Sequence, residues 1–230
     1  MVIAGTGVAG LAAAASLRST GQRVCCLEAR DRIGGRISTV HDPSMPIAVE
    51  LGAEFVHGRP AEIVDLARTA GCCLVEHTPR ALHLDRGRIL QETKVGQIGD
   101  RVIEQLSRSA RKNDESLDDY LRRSHQSVDV KRWTRIQVEG FNAARSDDVS
   151  AEFLKRESDA AEKIDGDRAF RILEGYDAIP LALLRSIPDR ENSIQLNAVA
   201  KRIKWRRGQA EIEFQSLLER QPGPLVAGAS

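Results

Sequence analysis

Three glycines spaced as G-x-G-x-x-G, Gly5, Gly7 and Gly10, constrain this chain more than anything else in it. They follow a short apolar run, Val2-Ile3-Ala4, of the kind that forms a buried parallel strand. Alanine and leucine, both strong helix formers, come next and predict a helix over Ala9 to Thr20, closed by Gly21. Arg23 to Leu27 then reads as a second strand, and Glu28 stands at its tip, 18 residues beyond Gly10. Strand, glycine turn, helix, strand and terminal acid together make a βαβ unit suited to a dinucleotide. Gly5 permits the tight turn, Gly7 lets backbone approach a pyrophosphate, and Gly10 lets the helix pack closely on the sheet. The helix N-terminus, with Ala9 in its first turn, offers free N–H groups and a positive dipole end to phosphate. Glu28 is placed where a carboxylate accepts hydrogen bonds from a ribose. Glycines used for packing alone are the plainer alternative. A secretory signal is a poorer reading of residues 2–17, because no basic segment precedes the apolar run and glycines interrupt it.

The loop that follows narrows the ligand. Glu28-Ala29-Arg30-Asp31-Arg32-Ile33-Gly34-Gly35-Arg36 runs directly on from the second strand. Gly34 and Gly35 suit a second close approach of backbone to phosphate, and Arg36 brings a cation to the same place. With L-E-A-x-x-R-x-G-G-R matched from Leu27 to Arg36, the sequence resembles the flavin-containing amine oxidases, which include monoamine, polyamine and lysine-demethylase oxidases. The resemblance implies FAD rather than NAD. It places Glu28 on the adenosine ribose, Ala29 and Arg30 in the same cofactor-binding loop, and Arg36 near the pyrophosphate.

A second match runs from Glu50 to Gly58, E-L-G-A-E-F-V-H-G. It is similar to the family segment that passes along the flavin ring. The resemblance implies that small Gly52 and Ala53 lie against the flat ring, that Phe55 is an apolar wall, and that Glu54 either contacts flavin or caps the next turn. It puts His57 in the active site, where an imidazole accepts a proton from an alkylammonium or orients the amine. A third match, Phe170 to Asp177, is similar to the family's return to the nucleotide domain. After the I-Q-L-N run at residues 194–197, Val199 falls where the family holds adenine by backbone.

Composition bounds the rest. The 230 residues are 41% apolar, enough for a substantial core. A net charge of +1 gives no reason to expect nucleic acid or an anionic membrane as partner, and no apolar run is long enough for a transmembrane helix. Aromatic residues, at 4%, are sparse for a protein that encloses both a flavin and a substrate. Cys25-Cys26 and Cys72-Cys73 are adjacent pairs without metal-ligand spacing, so no metal site is expected. They read as reduced thiols of a cytoplasmic protein, with the first pair in a buried strand.

The expected fold is α/β: a Rossmann-like FAD-binding domain, with a parallel sheet around the βαβ unit, and a helical substrate-domain insertion. The expected boundaries are 1–94 for the first part of the FAD-binding domain, 95–165 for the helical segment, and 166–230 for an incomplete return. Pro60 starts a helix ended by Gly71; Cys72 to Glu76 is a strand, and a hairpin turns at Asp85-Arg86-Gly87. Between 95 and 165 the apolar spacing predicts helices around Ile98 to Leu106, after Ser116, over Val130 to Ala144, and after Ser150. Trp133 and Phe141 are expected in the core. Ile179 to Ser186 is a helix, Ile194 to Asn197 a strand, and Val199 to Trp205 with Ala210 to Phe214 a hairpin. The tail from Leu217, with Pro222-Gly223-Pro224, does not read as a further strand.

The resemblance covers nearly all of the chain but about the N-terminal half of a family member. The short first strand points to an original start upstream of Met1. The family's flavin-facing lysine, its aromatic pair around the substrate amine and its last glycine-rich segment find no counterpart here, so truncation at the C-terminus is expected and FAD is expected to be non-covalent. The implied activity is oxidation of a small-molecule amine to an imine, with oxygen reduced to hydrogen peroxide; a partner chain or oligomer would supply the missing half. A catalytically incomplete FAD-binding fragment or partner subunit is the alternative. An NAD-linked oxidoreductase is the weaker one, having no use for the Gly34-Gly35-Arg36 loop or the 50–58 segment.

Overall fold

The computed structural model describes residues 1–78, 82–85, 88–91, 102, 114–218 and 223–228. The glycine-rich start folds as a βαβ unit. Strand β1 (Val2–Ala4) leads through Gly5, at φ +98°, into helix α1 (Val8–Ser19). Thr20 caps the helix, Gly21 follows at φ +80°, and the chain returns as β2 (Cys25–Leu27). β1 and β2 are parallel, with Val2 opposite Cys25 and Ala4 opposite Leu27. On its other side β2 pairs, again in parallel, with β10 (Ile194–Gln195). Ala4 is exposed and Val2 and Ile3 are half-buried, short of the fully buried strand expected, because among the described residues β1 is paired along one edge only.

The chain divides into two compact units. The first comprises Met1–Val56, Pro60–Glu76 and Phe170–Ser230. Beyond the βαβ unit it holds the short antiparallel pair β3 (Thr39–Val40) and β4 (Val49–Glu50), and helix α2 (Ala61–Thr69), which Pro60 opens. β9 (Ala169–Ile172) lies between β5 (Val56–His57) and β6 (Leu74–His77) in a further three-stranded sheet. Leu11 and Ala14 of α1, Cys26 of β2, and Leu183 and Ile187 from the region of a later helix, Ala178–Ser186, make one core layer. Burial pushes the Cys26 thiol up to about 11, with the adjacent Cys25 adding to it, so this cysteine behaves as a small hydrophobe. Val56, Ala67, Phe170, Ile172 and Ile179 make another layer.

Near the end of the first unit, the expected strand over 194–197 stops at Gln195. Asn197 takes a left-handed conformation, φ +58°, which asparagine tolerates, and redirects the chain into β11 (Ala198–Arg206). β11 turns through Arg207-Gly208 into β12 (Gln209–Ser216), with Arg206 opposite Gln209 and Gly208 at φ +81°. The tail expected to leave the sheet instead continues it. β13 (Gly223–Gly228) pairs antiparallel with β12, with Pro224 opposite Glu213. A proline is tolerated there because β13 has no further described strand beyond it to receive a backbone N–H.

The second unit, His57–Arg59 with His77–Ala169, is mostly helical where described. Leu82–Asp85 and Arg88–Gln91 form its hairpin, β7 and β8, while the turn residues Arg86 and Gly87 lie outside the described residues. The helix expected around Ile98 to Leu106 also lies outside them, apart from Val102, which is buried. Helices α3 (Leu117–Arg123), α4 (Val128–Asn142) and α5 (Ala151–Glu162) each open on a serine whose hydroxyl accepts a backbone N–H: Ser116 from Asp119, Ser127 from Val130, Ser150 from Phe153. Their inner faces bury Leu117, Leu121, Val138, Ala151 and Leu154 around Val102 and Val149. Among the described residues, no helix is long and apolar enough to cross a membrane.

Candidate functional site

The first unit gathers the dinucleotide-binding candidates around the end of β2. A Cβ on Gly10 would lie 2.0 Å from the Gly5 carbonyl oxygen, so only glycine lets α1 start this close to the turn. Gly7, the N-cap of α1, has no side chain to accept from the first-turn N–H groups, and the first turn, which includes Ala9, holds no acid. That end of the helix keeps both its donors and its positive dipole for an incoming anion. The Gly34-Gly35 turn approaches from the side: Gly34 N–H donates to the Thr6 carbonyl at 2.9 Å, and a Cβ on Gly35 would meet Gly7 Cα at 3.1 Å. Two backbone turns therefore lie against each other without side chains between them.

Glu28 sits just beyond β2 with 6% of its surface exposed. Its Oε2 accepts from both the Thr6 N–H and the Thr6 hydroxyl at 2.8 Å, and its Oε1 accepts from the Arg30 N–H at 3.0 Å. Burial pushes the pKa of this carboxyl up, and the hydrogen bonds from Thr6 and Arg30 together outweigh it, leaving the group below the usual glutamate value. Glu28 is thus held as a carboxylate, and of its roughly four accepting directions one remains on Oε1. Around it the chain closes from the other side: Glu28 N–H donates to the Gln195 carbonyl, Ala198 N–H to the Glu28 carbonyl, and Asn197 N–H to the Arg30 carbonyl. Val199, next after Ala198 in β11, is brought to this end of the cradle by those bonds.

The cations of the loop divide their work. Arg30 donates to the Gly35 carbonyl at 2.8 Å; Arg32 donates to Ile33, Gly35 and Ile37 carbonyls. Both guanidinium groups hold the Gly34-Gly35 turn in shape. Ala29 is exposed beside Glu28, and Arg36 is exposed just after the turn. The loop-holding role of Arg32 and the part of Thr6 beneath Glu28 were not legible in the sequence. The x positions of a glycine motif carry no signal of their own, and an arginine that binds backbone looks the same in sequence as one that binds phosphate.

Residues 36–40 then run alongside residues 49–53. Leu51 N–H donates to the Ser38 carbonyl and Ala53 N–H to the Arg36 carbonyl, and a Cβ on Gly52 would lie 2.0 Å from the Arg36 carbonyl oxygen. Gly52 and Ala53 are in this way tied directly to the Gly34-Gly35-Arg36 loop. Glu54 is ion-paired with Arg171 at 2.7 Å, and the same guanidinium stands 5.9 Å from the centre of the Phe55 ring. Arg171 is a further residue without a sequence signal, since its place comes only from β9 lying beside β5.

His57 belongs to the second unit. It is exposed, and its ring meets that of Phe141 edge to face, with centroids 5.5 Å apart. The expectation that Phe141 lies in the core is overturned: 66% of it is exposed. It occupies the last turn of α4, past the buried Thr134 and Val138, where Ala143 at φ +50° already turns the chain away. Trp133 is half-buried, with the Arg132 guanidinium 6.0 Å from its ring centre. Among the described residues no three His, Cys, Asp or Glu side chains are grouped to hold a metal ion.

Taken together, an open helix N-terminus, two apposed glycine turns and a buried carboxylate with an accepting direction left over fit a dinucleotide. The model of the flavin containing amine oxidoreductase family matches residues 8–217. Polyamine oxidase 3 of Oryza sativa subsp. japonica is 33% identical over 178 residues, 65% of this chain and 36% of the relative. Polyamine oxidase 2 of Arabidopsis thaliana is 28% identical over 186 residues, 68% of this chain and 38% of the relative. Among solved structures, cyclohexylamine oxidase from Brevibacterium oxydans is similar with a TM-score of 0.73 at 18% identity, covering 97% of this chain and 55% of that one. Wild-type putrescine oxidase bound to putrescine is similar with a TM-score of 0.70 at 20% identity, covering 92% and 53%. The chain therefore spans well under half the length of these curated relatives and carries the fold of about half of each solved oxidase. By its matched motifs, its βαβ cradle and this family match, the chain belongs to the flavin containing amine oxidoreductase family.

Proposed function

We propose that this chain binds FAD non-covalently and serves an oxidase that acts on small-molecule amines. The observation that carries the reading is Glu28, buried and ionised between Thr6 and Arg30, with an accepting direction left for a ribose hydroxyl. Gly5, Gly7, Ala9 and Gly10 would meet the pyrophosphate with backbone N–H groups, Gly34 and Gly35 would close over it, and Arg36 would add a positive charge. The Val199 backbone would hold adenine. Gly52, Ala53 and Phe55 would make one wall for the flavin ring, with Glu54 kept by Arg171 from facing it as a lone charge. When bound, FAD supplies the hydride acceptor that converts an amine to an imine and passes the electrons on to oxygen as hydrogen peroxide. His57 would take the proton of an alkylammonium at a ring nitrogen or orient the neutral amine, its ring plane steadied by the edge of Phe141. The relatives named for polyamines, putrescine and cyclohexylamine support an amine as substrate.

Two experiments test this. Purified protein should show flavin absorbance, and Glu28→Ala should weaken FAD binding by about 10- to 100-fold, as expected for losing a charge-assisted hydrogen bond. Unchanged flavin content in Glu28→Ala would end the ribose assignment. For the chemistry, hydrogen peroxide release is measured with a panel of mono- and polyamines. A wild-type response that persists undiminished in His57→Ala removes His57 from the mechanism. Because the chain spans 36% and 38% of the two curated relatives, a second reading is favoured beside the first. In it the described residues bind FAD, while turnover requires further chain or a partner copy that supplies the rest of the flavin chamber. Flavin bound without peroxide release from any amine selects that reading.

A further inference from the structure

Glu50 opens the segment that runs from β4 into Leu51–Phe55, yet the dinucleotide cradle leaves it without a part. Its Oε1 accepts from the Tyr176 N–H at 2.7 Å, and its Oε2 accepts from the Thr39 hydroxyl at 2.6 Å. The Thr39 oxygen in turn accepts from the Asp177 N–H at 3.2 Å, and the Asp177 carboxylate faces His41 Nε2 at 3.0 Å. One carboxylate thus ties the β3–β4 pair to the turn that starts helix α6 (Ala178–Ser186). Tyr176 and Asp177 immediately precede that helix, and an acid there suits the positive end of the helix dipole. Gly175, at φ +110°, closes the arrangement: a Cβ on it would lie 2.8 Å from Asp177 Oδ1 and 3.0 Å from both His41 Cε1 and Thr39 Cγ2.

The next residues after Glu50 are the ones held against the Arg36 and Ser38 backbone. The segment Leu51–Phe55 therefore leaves a fixed point at Glu50 and, through Leu51 and Ala53, runs along the backbone that leaves the Gly34-Gly35 turn. We propose that Glu50 is a positioning residue, whose carboxylate, through Thr39 and the Tyr176 N–H, sets where Leu51–Phe55 lies and with it the wall offered to a flavin ring. This rests on the FAD-binding reading above. The site specifies an acid rather than an amide because every group around it donates. A glutamine could still accept from Tyr176, but its NH2 would face the Thr39 oxygen, which already accepts from Asp177, and the Thr39 proton would have no acceptor.

The test compares FAD with ADP on the full chain, together with amide hydrogen exchange in the free protein. ADP takes only the adenosine and pyrophosphate end, which Glu28 and the glycine turns serve. Glu50→Gln and Thr39→Val are each expected to weaken FAD binding about tenfold and to shift the visible absorption maximum of bound flavin, with ADP affinity held within about twofold. The amides of Leu51 and Ala53 are expected to exchange at least about tenfold faster in both variants. Thr39→Ser, which keeps the hydroxyl, restores wild-type behaviour. Parallel losses of FAD and ADP affinity overturn the proposal, since they report general destabilisation. Unchanged exchange at Leu51 and Ala53 overturns it as well. A wild-type chain that binds neither FAD nor ADP removes the cofactor reading instead, and the exchange arm still decides the role of Glu50. Should Glu50→Gln fail to fold, Thr39→Val leaves the carboxylate in place and gives the same readings.

Discussion

Glu28 shows how one side chain can be legible in part. Its place at the tip of a strand, 18 residues beyond Gly10, is where the proposed ribose-binding acid is expected. What holds it ready is not in that spacing. Thr6, fully buried, gives both its N–H and its hydroxyl to Oε2, and this outweighs the cost of burying the carboxylate. The consequence for stability has a definite sign. The folded value lies below the ordinary 4.5, so the stabilisation is complete above that pH and is lost as pH falls through the folded value. Wild type should therefore lose more unfolding free energy than Glu28→Gln as pH is lowered from about 6 to about 3, measured by denaturant titration of the cofactor-free protein. Equal losses in the two proteins would show that the carboxylate contributes no pH-linked stability. Arg171, Thr39 and Tyr176 are the opposite case. Each matters through a partner distant in sequence, and no local pattern announces them.

At the scale of elements, local chemistry was a good guide wherever it acted locally. Ser116 and Ser150 cap helices as their sequence contexts imply, and α1 ends where Gly21 allows it to. Ser127 caps α4 too, and the helix starts at Val128, two residues before the Val130 expected from its apolar spacing, because Val128 and Asp129 face solvent and add no buried apolar position. Ser150→Ala should cost about 1 kcal/mol, seen as an earlier denaturant midpoint, while Ser150→Asp, which can accept the same Phe153 N–H, should cost little. Equal costs for both would deny the cap its role. The misreadings at this scale are also physical. Phe141 keeps the helical period of Val138, but the layer it would pack into ends one turn earlier. β13 is rich in proline and glycine, which argue against an inner strand but are compatible with an edge, and only pairing with β12 reveals which it is.

At the scale of the whole chain, each compact unit has its own apolar core. In the second, Leu117, Leu121, Val138 and Leu154 meet from three helices, and Leu121 is fully buried. Leu121→Ala should therefore destabilise by about 2–5 kcal/mol, followed through the helical circular dichroism signal in urea; a loss below about 1 kcal/mol would show that this core collapses around the cavity. The sequence alone determined the βαβ unit, the family and most helix boundaries. Those follow from glycine conformation, capping and short-range periodicity, all of which act over a few residues. Only the tertiary structure decided what engages each carboxylate, that Glu54 is paired with Arg171, that Phe141 is exposed beside His57, and that Glu50 accepts from Thr39 and Tyr176. Those depend on which distant strands and turns become neighbours, and burial and hydrogen-bond partners take their values only once that packing is complete.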